Sequence, residues 1–172
     1  MVGVVLIVAL TTLLASTVGA FALGFDLVDP GPRVTTSTEE LVAHDHADGD
    51  REQRLRIRHE GGPPVNATAL ALVVTVDRTG EQARVTAIPV DANKLDAADV
   101  EGTPFLDLSH GEAVGSLSTA PPDVDGVWSA GDTLGVRIAS SAATLAPGDS
   151  VTVRVVHVPS GQVVARETLT AR

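Results

Sequence analysis

Val151-Thr152-Val153-Arg154-Val155-Val156-His157-Val158, turned back by Pro159-Ser160-Gly161 into Gln162 to Thr170, is the stretch that decides the fold. Valine recurs at alternate positions in a run rich in β-branched residues, and a Pro-Ser-Gly cluster interrupts it, which specifies a β-hairpin. Leu145-Ala146-Pro147-Gly148-Asp149 forms a tight turn into this hairpin, and Thr133 to Ala139 is a strand before it. Further upstream, Arg54-Leu55-Arg56-Ile57-Arg58-His59 alternates strictly, with Leu55 and Ile57 on one face and three arginines on the other. Leu70, Leu72, Val74 and Val76 alternate with Ala69, Ala71, Val73 and Thr75, a strand apolar on both faces and therefore central in its sheet. Arg84 to Val90 reads as another strand. Asp91 to Asp125 is less regular and acidic, an excursion with a short helix near Asn93 to Val100. About seven short strands without a long amphipathic helix predict an all-β antiparallel sandwich, immunoglobulin-like in architecture, over residues 33–172. With no cysteine pair and no well-placed core tryptophan expected, that likeness is architectural only.

The chain has 172 residues, 22 acidic and 12 basic, for a net charge of -10, and no charge occurs before Asp26. Phosphate binding needs clustered Lys and Arg, so the acidic balance argues against a nucleic-acid partner. The absence of cysteine excludes disulfides, thiolate metal sites and cysteine nucleophiles. Aromatic residues are limited to Phe21, Phe25, Phe105 and Trp128, so the core is built from Val, Leu, Ile and Ala. Lys94 is the only lysine against eleven arginines, and aspartate outnumbers glutamate fourteen to eight. Such a surface stays hydrated at high ionic strength, where screening suppresses self-repulsion, and the composition resembles that of proteins from salt-loving archaea.

Met1 to Phe25 is uncharged, and its hydroxyls on Thr11, Thr12, Ser16 and Thr17 are able to bond back to helix carbonyls. As a helix it extends roughly 35 Å, enough to cross a hydrocarbon core of about 30 Å with some tilt. A cleaved signal peptide needs a basic start and a shorter apolar stretch; only Ala20-Phe21-Ala22 offers a small-x-small match. Small residues at Gly3, Ala9, Ala15, Gly19 and Ala20 permit close helix packing, with lipid or with copies of the same helix. Asp29-Pro30-Gly31-Pro32 stops the helix and stiffens a linker over 26–32.

Val2-Gly3-Val4-Val5-Leu6-Ile7-Val8-Ala9-Leu10-Thr11, with Leu13-Leu14-Ala15 and Gly19-Ala20-Phe21, resembles the N-terminal helix of archaeal type IV pilin-like proteins, especially haloarchaeal ones. Shorter likenesses follow in order at Ile57-Arg58-His59-Glu60-Gly61-Gly62, Ser129-Ala130-Gly131-Asp132 and Val153 to Gly161. The resemblance implies a helix that sits in the membrane and later packs in a filament core, carrying an extracellular β-domain. Bacterial pilins bear an acidic residue near the start of this helix; none precedes Asp26, in keeping with the archaeal pattern. A basic leader removed by a prepilin-type peptidase is also implied. Met1 already stands inside the apolar run, so the expectation is either a start further upstream or an unprocessed pilin-like protein.

His44-Asp45-His46-Ala47-Asp48-Gly49-Asp50 concentrates donors suited to Ca²⁺ or Mg²⁺, with a histidine pair suited to Zn²⁺. Without EF-hand spacing, His44, Asp45, His46, Asp48 and Asp50 read as a solvated acidic loop in preference to a metal site. His59-Glu60-Gly61-Gly62-Pro63 starts like a zinc-protease motif, but proline replaces the second histidine, and a turn is expected. Asp107, Ser109 and His110 have no nucleophile elbow around them. Arg51, Arg54, Arg56 and Arg58 lack interleaved aromatics and read as a solvated strand face paired with acids. Asn66-Ala67-Thr68 is an N-glycosylation acceptor.

The expectation is therefore a non-enzymatic structural or minor subunit of a type IV pilus-like surface filament, adhesive in role. It needs no cofactor, and its partners are membrane lipid and other pilins. The alternative is a membrane-anchored extracellular binding module that does not polymerise.

Overall fold

The computed structural model describes residues 3–12, 31–44, 53–86, 88, 97–108 and 126–172. Residues 3–12 are helical. Among the described residues ten strands follow: β1 Thr35–Thr38, β2 Arg54–Gly61, β3 Val65–Asn66, β4 Leu70–Val76, β5 Glu81–Val85, β6 Val100–Gly102, β7 Val127–Trp128, β8 Thr133–Arg137, β9 Ser150–His157 and β10 Gln162–Thr170. They form a five-stranded sheet ordered β10-β9-β4-β5-β6, a three-stranded sheet ordered β1-β2-β8, and a β3-β7 ribbon. Every pairing is antiparallel.

The inward residues of the two larger sheets share one core. Leu55 and Ile57 of β2 and Leu134 and Val136 of β8 join Leu70, Leu72, Val74 and Val76 of β4 and Val151, Val153 and Val155 of β9. Burying each such side chain is worth about 1.5 to 3 kcal/mol. This is an antiparallel sandwich, and β4 is central as its two-sided apolarity requires. The expected hairpin is β9-β10, in register from Gln162 against His157 to Thr170 against Ser150, with a shift between Val163 and Ala165.

Three local expectations are corrected. The strand expected at Arg84 to Val90 is β5, which starts at Glu81 and ends at Val85. Where a helix was expected near Asn93 to Val100, the described part is a single 3-10 turn at Ala97–Asp99 leading into β6. Residues 93–96 of that expectation lie outside the described residues, and Val100 pairs with Val85. Trp128 is a core residue after all: β7 pairs with β3, Val65 against Trp128, and the indole is fully buried.

His59 continues the inward face of β2 beyond Leu55 and Ile57, in line with the alternation of Arg54 to His59, and is fully buried, while the reversal expected after it comes as a bend at residues 62–63. Its ring meets Trp128 edge-on, with centroids 4.9 Å apart and planes at 83°. Nε2 lies 3.3 Å from the Pro63 carbonyl and donates to it, while Nδ1 has no hydrogen-bond partner.

Gln53, immediately before β2, is buried in left-handed conformation at φ 52°. Its Nε2 donates to the carbonyls of Ile138 and Ala143, both at 3.0 Å, and its Oε1 accepts from Leu145 N at 2.7 Å. Its own N–H donates to Val42 O at 2.8 Å, and its carbonyl accepts from Ile138 N at 3.0 Å. One amide thus closes the base of the 43–52 segment and ties it to the end of β8.

Candidate functional site

In the helix over 3–12, Val4, Val5, Leu6, Ile7, Val8 and Leu10 are 55–69% exposed. Its only side-chain polar groups are satisfied within the helix. Thr11 Oγ1 donates to Ile7 O and Val8 O at 3.0 and 2.9 Å, and Thr12 Oγ1 to Val8 O and Ala9 O at 3.0 Å each. A helix apolar on every side is stable only when something other than water surrounds it. Around Gly3 a Cβ would meet nothing within 4 Å, so the described chain itself does not fill that notch. Ala9 is exposed on the same helix, whereas Ala15, Gly19 and Ala20 lie outside the described residues. Among the described residues no helix is long and apolar enough to cross a membrane. The remainder of the spanning helix expected over 1–25 lies outside them.

The start of the sandwich is seated on its last hairpin. Gly31 N donates to Gln162 Oε1 at 2.9 Å, and a Cβ on Gly31 would stand 2.8 Å from Ser160 Oγ. Ser160 is itself held by His157 Nδ1 at 2.8 Å. Four residues into the domain, Thr36 Oγ1 donates to Glu167 Oε1 at 2.6 Å. Residues 31–36 therefore meet the β9-β10 turn and then run beside β10, so the hairpin that decides the fold also seats the first residues of the sandwich.

The other candidates are not gathered around this joint. His44 is half-buried, with its N–H donating to Leu145 O at 2.9 Å, while Asp45, His46, Asp48 and Asp50 lie outside the described residues. Among the described residues no three His, Asp or Glu side chains are grouped to hold a metal. Asp107 is described, but Ser109 and His110 are not. Two arginines of the β2 stripe pair with acids, Arg56 with Glu39 at 3.4 Å and Arg58 with Glu60 at 3.6 Å. Arg51 lies outside the described residues. Asn66 is exposed at the end of β3, its Oδ1 accepting from Thr68 N at 3.0 Å and Thr68 Oγ1 at 2.8 Å. Sequence reading missed Gln53, for which no local signal exists. It also missed the seating of Gly31 on Gln162, which joins residues 131 apart.

Residues 1–36 match the family described as archaeal type IV pilin, N-terminal. No curated protein matches the chain. The matched stretch takes in the apolar helix, Gly31 and the start of β1, so it ends where the chain has been seated on β10. Over residues 1–36 the chain is thus similar to the N-terminal region of archaeal type IV pilins, and its described remainder is an antiparallel β-sandwich.

Proposed function

We propose that the chain is a structural or minor subunit of a type IV pilus-like surface filament, with an adhesive role. Its helix resides in the membrane before assembly and in the filament core afterwards, and its immunoglobulin-like sandwich faces outside. The observation that carries the reading is the helix over 3–12: apolar on every side, with its hydroxyls turned inward. Lipid and a bundle of identical helices both satisfy such a surface. The reading assigns no catalysis and no cofactor. Asn66 is a glycan acceptor on this outer domain, and Asn66→Gln should abolish a mass increment on the peptide that carries it.

The test is mass spectrometry of the N-terminal peptide, taken separately from membranes and from material sheared off cells. Protein in the sheared fraction, with its N-terminus inside or just before the apolar run, supports the filament subunit. Protein confined to membranes assigns the chain to the anchored, non-polymerising binding module. Loss of surface attachment on deleting the gene, restored by the intact chain, tests the adhesive role.

A further inference from the structure

Outside the helix over 3–12, the exposed large apolar side chains among the described residues are Val158 and Val163, each 48% exposed. Both flank the β9-β10 turn, with exposed Pro159 between them. Gly161 N donates to Val158 O at 3.3 Å and closes that turn. Polar groups of the tip are already partnered: His157 Nδ1 with Ser160 Oγ at 2.8 Å, Gly31 N with Gln162 Oε1 at 2.9 Å, and Val158 N with Ala69 O at 2.8 Å. Taking the tip out of water strands none of these groups, so the desolvation cost is low.

Charge sets the tip apart as well. Residues 155–165 carry no Asp, Glu, Lys or Arg, in a chain of net charge -10. The first charges met on either strand are cationic, half-buried Arg154 on β9 and exposed Arg166 on β10, which stand opposite each other. Neither has an ion pair among the described residues. The next charge on β10, Glu167, accepts from Thr36 Oγ1 at 2.6 Å. An apolar end backed by cations suits a bilayer interface, where apolar side chains enter about 5–10 Å and cations meet anionic headgroups. Arg166 comes three residues after Val163, roughly 10 Å along a strand, which matches that depth. Reach agrees: Gly31, hydrogen-bonded to this tip, comes six residues after Phe25, the end of the uncharged opening. Six residues span at most about 20 Å, whatever path they take.

We propose that the β9-β10 tip, Val158, Pro159 and Val163, seats in the interface of an anionic lipid bilayer, with Arg154 and Arg166 beside the headgroup phosphates. The inference rests on the reading in which the helix resides in the membrane before assembly. The occupant follows from charge and reach together. An acidic domain is repelled by an anionic surface except where it presents no carboxylate, and the tip is such a place. It is also the part of the sandwich that the chain keeps within about 20 Å of its apolar segment. Contact there holds the sandwich in one orientation on the bilayer while the subunit awaits assembly.

The chain has no cysteine, so a single fluorophore is placed on the full chain at Pro159→Cys in the tip, or at Thr79→Cys in the exposed β4-β5 turn at the opposite end of the sheet. Each labelled chain is reconstituted at high lipid-to-protein ratio in phosphatidylglycerol or phosphatidylcholine vesicles carrying a quencher near the headgroups. Quenching at 159 should exceed that at 79 several-fold in phosphatidylglycerol and fall in phosphatidylcholine. Equal quenching at the two positions, in a chain that floats with the vesicles, overturns the tip contact and leaves the membrane-helix reading intact. Quenching at 159 that is as strong in phosphatidylcholine overturns the headgroup contact, and quenching that appears only at dense packing assigns the tip to a neighbouring copy and overturns the proposal. A chain that does not float with either vesicle brings down the membrane-helix reading and this inference with it. Val158→Ser with Val163→Ser alters exposed side chains only, so the melting temperature should hold while quenching at 159 falls several-fold. Undiminished quenching in that variant overturns the proposal.

Discussion

Gln53 sits where the start of β2, the end of β8, residues 143–145 and Val42 converge, and its side chain satisfies two carbonyls and one N–H there. Gln53→Ala leaves those groups buried without partners, at about 1 to 3 kcal/mol for each unsatisfied group before relaxation. The expected loss is roughly 2 to 4 kcal/mol in denaturant unfolding, and a loss below about 1 kcal/mol would show that water replaces the amide. His59 and Trp128 behave differently. His59 has one unpartnered ring nitrogen and its only side-chain hydrogen bond goes to the carbonyl of exposed Pro63. His59→Leu should therefore stay within about 1 kcal/mol of the parent, because apolar replacement of an imperfectly paired group is nearly neutral. Trp128→Ala should cost about 3 to 5 kcal/mol through the cavity it opens. Were the histidine change the costlier of the two, the ring pair would be held by more than packing.

At the scale of elements, the strands were legible wherever they were long and alternating. β2, β4, β8, β9 and β10 follow from period-two patterns in Arg54 to His59, Leu70 to Val76, Thr133 to Ala139 and the Val151 hairpin. The two- and three-residue strands β3, β6 and β7 were not, since such short pieces are defined by their partners and not by any period of their own. Gly102 shows how tightly β6 is held. Its φ is +94°, and a Cβ would collide with the carbonyl of Gln82. Gly102→Ala should lower stability by more than the roughly 1 kcal/mol of an ordinary left-handed penalty and loosen β6 in hydrogen exchange. An unchanged exchange pattern would show that the edge yields freely. In the helix expected over 1–25, Gly19→Leu keeps the segment apolar and adds bulk, so membrane insertion should persist while filament yield falls. Filaments unaffected by it would count against close helix packing at that position.

For the whole molecule, the net charge of -10 is compatible with a compact sandwich only if self-repulsion is modest or screened. We expect the melting temperature to rise as salt increases from about 0.1 M to about 1 M, over which the screening length shortens from about 10 to about 3 Å. A flat or falling curve would remove the salt-adapted reading of the composition. The sequence by itself determined the β-rich class, the central position of β4, the hairpin, the apolar character of the helix and its likeness to archaeal type IV pilins. Those properties reside in hydropathy, charge and period, which neighbouring residues express without help from the rest of the chain. Only the tertiary structure decided that Trp128 and His59 share the core, that Gln53 closes the 43–52 segment, that Gly31 rests on Gln162, and that Arg154 opposes Arg166. Each depends on which strand lies beside which and in what register, and pairing of segments a hundred residues apart is set by the burial of all the faces at once.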